Sequence, residues 1–340
     1  MRIASFFLIS AMVNALLCAC SLTSTGAGVS PPESPIATVS SPTTLAQYRG
    51  SNWAPNVGVA ARRGAYVLSW SDPSGNAGAV LGYRGSEKDN RGPVCNIPVL
   101  NVSSISTDPR GNLMTIDGND ATVIVYGGTA LCGQMLGSVT DGLGTPVDAA
   151  SLDAAHGRIY LAQPNGEYHR HGSVAVCTLS GGCTSKLRAD ALRGNLFDVT
   201  VDANGGVYAV GYTTVHDHHT TMVYWANGAG PGVQITAYKN TYTGGLNIDS
   251  SGNIIALDYT DVWIYSGCPA ACVAHGPFPL MSPSGRASLD VRNNTYEVSN
   301  FSFGRVDVYA YNGTAGITYE YSYDRGMSTV VGVAIDPAAE

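Results

Sequence analysis

Histidine is unevenly distributed in this 340-residue chain. Five of its seven His lie in two short segments, Glu167-Tyr168-His169-Arg170-His171 and His216-Asp217-His218-His219. Neutral imidazoles with a carboxylate among them form a ligand set that Zn, Ni or Cu favours. If the two segments are neighbouring loops, then His169, His171, His216, Asp217, His218 and His219 make a candidate site for a divalent transition metal. The same residues also read as two solvated polar loops, and Arg170 inside the first segment opposes a cation. Nucleophilic and phosphate chemistry find no residues. There is no Gly-x-Ser-x-Gly elbow and no Gly-rich loop opening a helix. No catalytic residue is assigned.

Cysteine supplies the second constellation. Cys177 and Cys183 flank Thr178-Leu179-Ser180-Gly181-Gly182, and Cys268 and Cys272 flank Pro269-Ala270-Ala271. Each pair closes a short loop that a disulfide can span. With Cys18 and Cys20 set aside, Cys95 and Cys132 pair by elimination. Three structural disulfides place the chain in an oxidising compartment. The paired Cys-x2-Cys spacing of a zinc site is missing.

The N-terminus reads as a targeting segment. Met1-Arg2 is a minimal positive region, and Ile3 to Leu17 is an apolar run too short to span a bilayer. The sequence Leu17-Cys18-Ala19-Cys20 that follows resembles a bacterial lipobox. That resemblance implies a signal peptide over 1–19, lipid on Cys20 and a membrane partner reached through it. The location it implies is the bacterial cell envelope, at the outer membrane or the cell surface. Residues 20–55 are rich in Ser, Thr and Pro and cannot bury enough apolar area to order themselves, so they read as a tether.

The elements that position these residues are strands. Charged residues make up 13% of the chain, about half the usual share. Only three Lys and six Glu are present, against 41 Gly, a composition of strands and turns. A coiled coil and a helical bundle are excluded. The net charge of −7 excludes a nucleic-acid binder driven by Lys and Arg.

From residue 56 to 340 the chain repeats. The unit is an apolar-alternating strand, an Asp-x-x-Gly-Asn turn or a variant of it, and a second strand. Its turns start at Asp108, Asp153, Asp202, Asp249, Asp290 and Asp336, with a copy near Ala61 that has lost its Asp. Spacings of 41 to 49 residues suit one four-stranded propeller blade. A third strand recurs as Val123–Tyr126, Met222–Trp225, Val262–Tyr265 and Val306–Tyr309. Two residues before each turn Asp stand Ser106, Ser151, Thr200, Asn247, Ser288 and Ala334, small or polar side chains that suit the crowding at a propeller axis. The orphan strand from Val330 to Ile335 is expected to close the ring against the first repeat. Six blades follow, or seven if residues 43–53 add strands.

The motif "apolar strand, Asp-x-x-Gly-Asn, Ile/Leu-Tyr-Val", followed by "Val-x-Val-Tyr", resembles the NHL-repeat and gluconolactonase-like six-bladed β-propellers. The resemblance implies an all-β fold of four-stranded antiparallel blades. It also implies that function converges on the channel, where Asn247, Asp198 and Arg286 are the candidate channel-mouth residues. The hydrolases of that superfamily carry a Glu, Asn and Asp metal set, and no early-blade Glu matches here: Glu87 and Glu167 fall in loops. The reading is therefore a lipid-anchored, extracytoplasmic binding scaffold. The alternatives are a metal-dependent lactone hydrolase or lyase on the same fold, and a structural cell-envelope protein.

Overall fold

The computed structural model describes residues 64–336, apart from 72–76, 85–91, 100–101, 109–110, 118–121, 128–130, 141–146, 154–155, 164–171, 215–218, 242–243 and 291–293. The signal, Cys20, the tether and residues 43–53 lie outside the described residues. Among the described residues no helix is long and apolar enough to cross a membrane.

Six antiparallel sheets of four strands form six blades. The second blade holds β4 (Val102–Thr107), β5 (Leu113–Asp117), β6 (Thr122–Gly127) and β7 (Gln134–Thr140). The third holds β8 (Ala149–Asp153), β9 (Arg158–Gln163), β10 (Ser173–Thr178) and β11 (Gly182–Leu187). The fourth holds β12 (Leu196–Val201), β13 (Val207–Tyr212), β14 (Thr220–Trp225) and β15 (Val233–Gln234). The fifth holds β16 (Gly245–Ile248), β17 (Ile254–Leu257), β18 (Asp261–Ser266) and β19 (Val273–Pro279). The sixth holds β20 (Ala287–Asp290), β21 (Thr295–Asn300), β22 (Arg305–Tyr311) and β23 (Ile317–Tyr323). The first blade is composite. Its strands β1 (Gly64–Ser71), β2 (Ala77–Arg84) and β3 (Cys95–Pro98) are completed by β24 (Val330–Asp336) from the far end of the chain. The first repeat thus contributes three strands, not four, and the ring has six blades rather than seven.

The Asp-x-x-Gly turns join the first and second strands of a blade. Asp249 Oδ1 accepts from the backbone N–H groups of Ser251 and Asn253 at 2.9 and 2.8 Å, and Asn253 Nδ2 donates to Asp249 Oδ2 at 2.7 Å. Asp108 accepts from the backbone N–H and the Nδ2 of Asn112, and Asp202 from the backbone N–H groups of Asn204 and Gly206. Gly111, Gly205 and Gly252 each sit at φ 79°, a region that costs a side-chain-bearing residue strain. In the third blade His156 replaces the polar partner, its Nδ1 lying 2.7 Å from Asp153 Oδ2.

Blade faces pack on one another through apolar layers, such as Tyr160, Val174, Leu196, Val207 and Trp225 between the third and fourth blades. Burying such side chains is worth roughly 1.5–3 kcal/mol each. A second device recurs at this packing. An aromatic residue of the third strand points its polar tip at the crossover that enters its own blade. Tyr83 Oη donates to Arg325 O at 2.9 Å, and Trp225 Nε1 donates to Arg188 O at 3.3 Å. Lys239 N donates to Tyr265 Oη at 3.0 Å, and Met281 N to Tyr309 Oη at 3.0 Å. An aromatic ring thus fills the inter-blade core while its polar atom satisfies a backbone group of the loop above.

All three disulfides form. Cys177–Cys183 and Cys268–Cys272 close the turns between the third and fourth strands of their blades, and Cys95–Cys132 joins the first blade to the second.

Removing residues 329–340 deletes β24 and exposes the full length of β1, which pairs with β24 from Gly64↔Asp336 to Ser69↔Val330. Calorimetry of that truncation should show Tm lowered by more than about 10 °C, several kcal/mol for a domain of this size. An unchanged melt would mean that β24 is a dispensable tail.

Candidate functional site

Adjacent strands of a blade run in opposite directions, which fixes what appears at each end of the ring. The Asp-x-x-Gly turns and the turns between third and fourth strands share one end. The loops between second and third strands share the other end with the crossovers between blades. The innermost strands β24, β4, β8, β12, β16 and β20 each touch the next around the axis, and β20 touches β24.

The small polar residues two positions before each turn Asp do more than relieve crowding. Ser106 Oγ donates to Ala150 O on the next inner strand at 2.9 Å. Asn247 Nδ2 donates to Ala287 O at 3.3 Å, while its Oδ1 accepts from Leu289 N at 3.1 Å. Ile335 N donates to Ser288 Oγ at 3.1 Å, and Thr107 Oγ1, one position before its turn Asp, donates to Ile335 O. These bonds staple neighbouring blades edge to edge, where no sheet ladder exists. Asn247, expected at the channel mouth, lines the channel but has its amide engaged in this stapling.

Four positions before the turn Asp, the inner strands carry Ser104, Ala149, Asp198, Gly245, Arg286 and Gly332. One acid and one base stand among small residues, near the crossover end of the channel. Asp198 Oδ1 accepts from Val199 N and Oδ2 from Leu246 N, both at 2.7 Å. Arg286 Nη1 lies 3.8 Å from Asp198 Oδ2 and donates to Phe197 O at 3.2 Å. Its Nη2 donates to Asp148 O at 3.0 Å. Arg286 precedes β20 and Asp148 precedes β8, which lies three blades away on the opposite side of the ring. One guanidinium therefore spans the axis.

Burial pushes the Asp198 carboxyl above the usual carboxylate range, against the opposing pull of Arg286 and the two amides. Burial also raises Asp148, opposed by Arg286 and reinforced by the Asp198 charge. The cavity below the strut is lined by all six inner strands and measures about 110 Å³. Small-molecule sites typically occupy roughly 300–1,000 Å³. This space accommodates a few waters or an ion of similar size, and no sugar-sized substrate.

In the chain the His segments fall between β9 and β10 and between β13 and β14, strands of adjacent blades. His169, His171, His216, Asp217 and His218 lie outside the described residues. His219 is described and exposed, and its backbone O accepts from Thr213 N at 2.8 Å.

Sequence reasoning passed over a feature at the crossover end. Tyr259, Met281, Phe301 and Phe303 are exposed on the loops of the fifth and sixth blades. They stand on a fixed base: Asn300 Nδ2 donates to Asp307 Oδ2, Arg305 Nε donates to Asp307 Oδ1, and the Arg305 guanidinium lies 5.0 Å from the Phe303 ring centroid. Two Phe within three residues is the signal that could have marked this loop.

No protein-family model matches the chain, and no curated protein does. Solved structures do match in fold. A chain in the crystal structure of a nidogen/laminin complex aligns with a TM-score of 0.58 and 10% identity, over 82% of this chain and 100% of that one. A protein of unknown function from Bacteroides caccae gives 0.55 and 11%, over 81% and 99%. A functionally unknown protein from Desulfotomaculum acetoxidans gives 0.53 and 8%, over 81% and 83%. At such identities the likeness is one of fold, the six-bladed β-propeller.

Two stability measurements check the axial cluster. Arg286→Met leaves Asp198 without its counter-charge and should cost about 3–5 kcal/mol in denaturant unfolding near neutral pH. Adding Asp198→Asn should return part of that loss. For Asp148 the sign follows from the raised carboxyl. A folded acid that prefers its proton contributes most stability below the ordinary carboxylate pKa, and the contribution is lost as pH rises toward the raised value. The stability of Asp148→Asn relative to wild type should therefore improve as pH rises from about 4. A difference that is flat with pH would contradict the assignment.

Proposed function

We propose that this chain is a lipid-anchored, extracytoplasmic β-propeller acting as a binding scaffold, which recognises its ligand on its faces and loops rather than inside its channel. The observation that carries this reading is Arg286 spanning the axis with Asp198, Phe197 O and Asp148 O as its partners. A metal-dependent lactone hydrolase or lyase needs unengaged ligands around a chamber that admits substrate. Here Asp198, Asn247 and Arg286 are bound to one another's strands, and the space left is about 110 Å³. The propeller in the nidogen/laminin complex belongs to a protein complex, which favours a recognition role for such a surface. A structural cell-envelope protein, the remaining alternative, would bind no small ligand.

The anchor rests on Leu17-Cys18-Ala19-Cys20 and the Ser/Thr/Pro-rich spacer after it. Ser21 behind the lipidated Cys favours an outer-membrane or surface position in the bacterial envelope. Cys20→Ser should move the protein from the detergent phase to the aqueous phase. Retention in the detergent phase would overturn the anchor. The scaffold reading is tested by incubating purified protein with simple lactones and divalent metals. No metal-dependent hydrolysis is expected, and hydrolysis abolished by Asp198→Asn would establish the enzyme instead.

A transition-metal site between the two His segments is a second reading, favoured by the matching places of the segments in the chain, each between the second and third strands of adjacent blades. Tag-free protein should bind Zn²⁺ or Ni²⁺ and raise its Tm by mass action. Binding should weaken as pH falls through about 6.5, because imidazole must be neutral to ligate. Equal binding by His171→Ala/His218→Ala and wild type would remove the site.

A further inference from the structure

We infer that the surface formed by Met281, Phe303 and Arg305, at the crossover end of the fifth and sixth blades, docks a partner protein. The partner engages it through a peptide segment that sets an Asp or Glu carboxylate beside an apolar side chain. One buried carboxylate brings the three residues together. Asp307 Oδ1 accepts from Arg305 Nε at 2.7 Å and from Ser322 Oγ at 2.5 Å. Its Oδ2 accepts from Asn300 Nδ2 at 2.9 Å and from Ser282 Oγ at 3.2 Å. Ser282 follows Met281 in the chain, and Asn300 Oδ1 accepts from Phe303 N at 3.2 Å. Met281 is also held by its backbone, which donates to Tyr309 Oη, and by Leu280 N, which donates to Thr260 O at 2.8 Å. On this hub Met281 and Phe303 are each 64% exposed. Two large apolar side chains are thus fixed in place before any partner arrives, which lowers the ordering cost of binding.

The guanidinium sets what the partner must carry. Asp307 engages Arg305 through Nε, and the Phe303 ring centroid lies 5.0 Å from Cζ. Among the described residues Nη1 and Nη2 have no hydrogen-bond acceptor, and the side chain is 30% exposed. Arg286, by contrast, spends both of its Nη atoms inside the ring. A guanidinium oriented through Nε keeps two Nη groups whose fork matches a carboxylate. An apolar side chain next to that carboxylate would cover Phe303 and Met281. Arg, Met and aromatic residues are the types enriched in the cores of protein interfaces. Charge favours a peptide over a bilayer. Docking on anionic lipid takes a cluster of about four to eight Lys or Arg, and this chain carries a net charge of −7. The inference rests on the scaffold reading and names the class of its partner.

Panning a random dodecapeptide phage library on the full-length protein tests it. Enriched peptides should pair Asp or Glu with Phe, Leu or Met. In fluorescence anisotropy with labelled synthetic copies, Phe303→Ser and Arg305→Met should each weaken binding by about tenfold or more. Replacing the peptide's Asp or Glu by its amide should cost as much against the wild type and little against Arg305→Met. Arg305→Met also removes a partner of Asp307. If that variant does not fold, Phe303→Ser, at an exposed position, carries the test. Peptides that bind both variants as tightly as the wild type would overturn this surface and leave the scaffold reading standing, because another face would then be the binding site. Enriched peptides without a carboxylate, or no enrichment, would overturn the surface as well. So would cosedimentation of Cys20→Ser protein with phosphatidylcholine–phosphatidylglycerol vesicles that is lost on adding Phe303→Ser, because the surface would then face a bilayer. The scaffold reading itself falls to the lactone assay, so the two failures are told apart.

Discussion

The fold depends on ring closure. Each four-stranded blade has two apolar faces and can bury them only against a blade on either side. The pairing of Val330–Asp336 with Gly64–Ser71 makes the circle complete, because it gives the first blade its innermost strand from the last stretch of the chain. Without that pairing β1 would present a bare edge at the axis, and the first and sixth blades would lose a shared face that includes Val67, Tyr83, Val308 and Val333. Closure converts six local hairpin meanders into one cooperative object.

The axis carries the consequences. Six inner strands converge where there is no room for bulk, so the chain places small hydroxyl residues and Asn247 there and uses them to bind blade to blade. Among them stand one acid and one base. Arg286 is long enough to reach from one side of the ring to the other, and its two backbone acceptors lie on different blades. A guanidinium held by carbonyl oxygens and a neighbouring carboxylate is satisfied in place, which explains how a charge persists in a largely buried position.

Much of this was legible in the sequence. The Asp-x-x-Gly turns, the second and third strands and the Cys177–Cys183 and Cys268–Cys272 bridges follow from local periodicity and loop length, which are short-range properties, whereas Cys95–Cys132 was reached by elimination and the closing strand by the need to complete the ring. Asp198, Asn247 and Arg286 were legible as channel residues because position relative to the turn Asp fixes position on the inner strand. What they do there was not. The bond from Arg286 to Asp148 O joins residues 138 apart, and it depends on which blade faces which across the ring. Trp225, Tyr265 and Tyr309 were legible only as members of third strands, and the bonds that they and Tyr83 make to the crossovers emerge only when blade is stacked on blade. Phe301 and Phe303 were passed over, because exposure is decided by the loops beside them.

The central claim, that the composite first blade is an integral part of one cooperative ring, is tested most directly by native-state hydrogen exchange. The amides of β1 that face β24 should exchange with the same opening free energy as those of β13, deep in the fourth blade. Exchange from β1 and β24 at a distinctly lower free energy, while β13 stays protected, would contradict the account by showing that the first blade opens on its own.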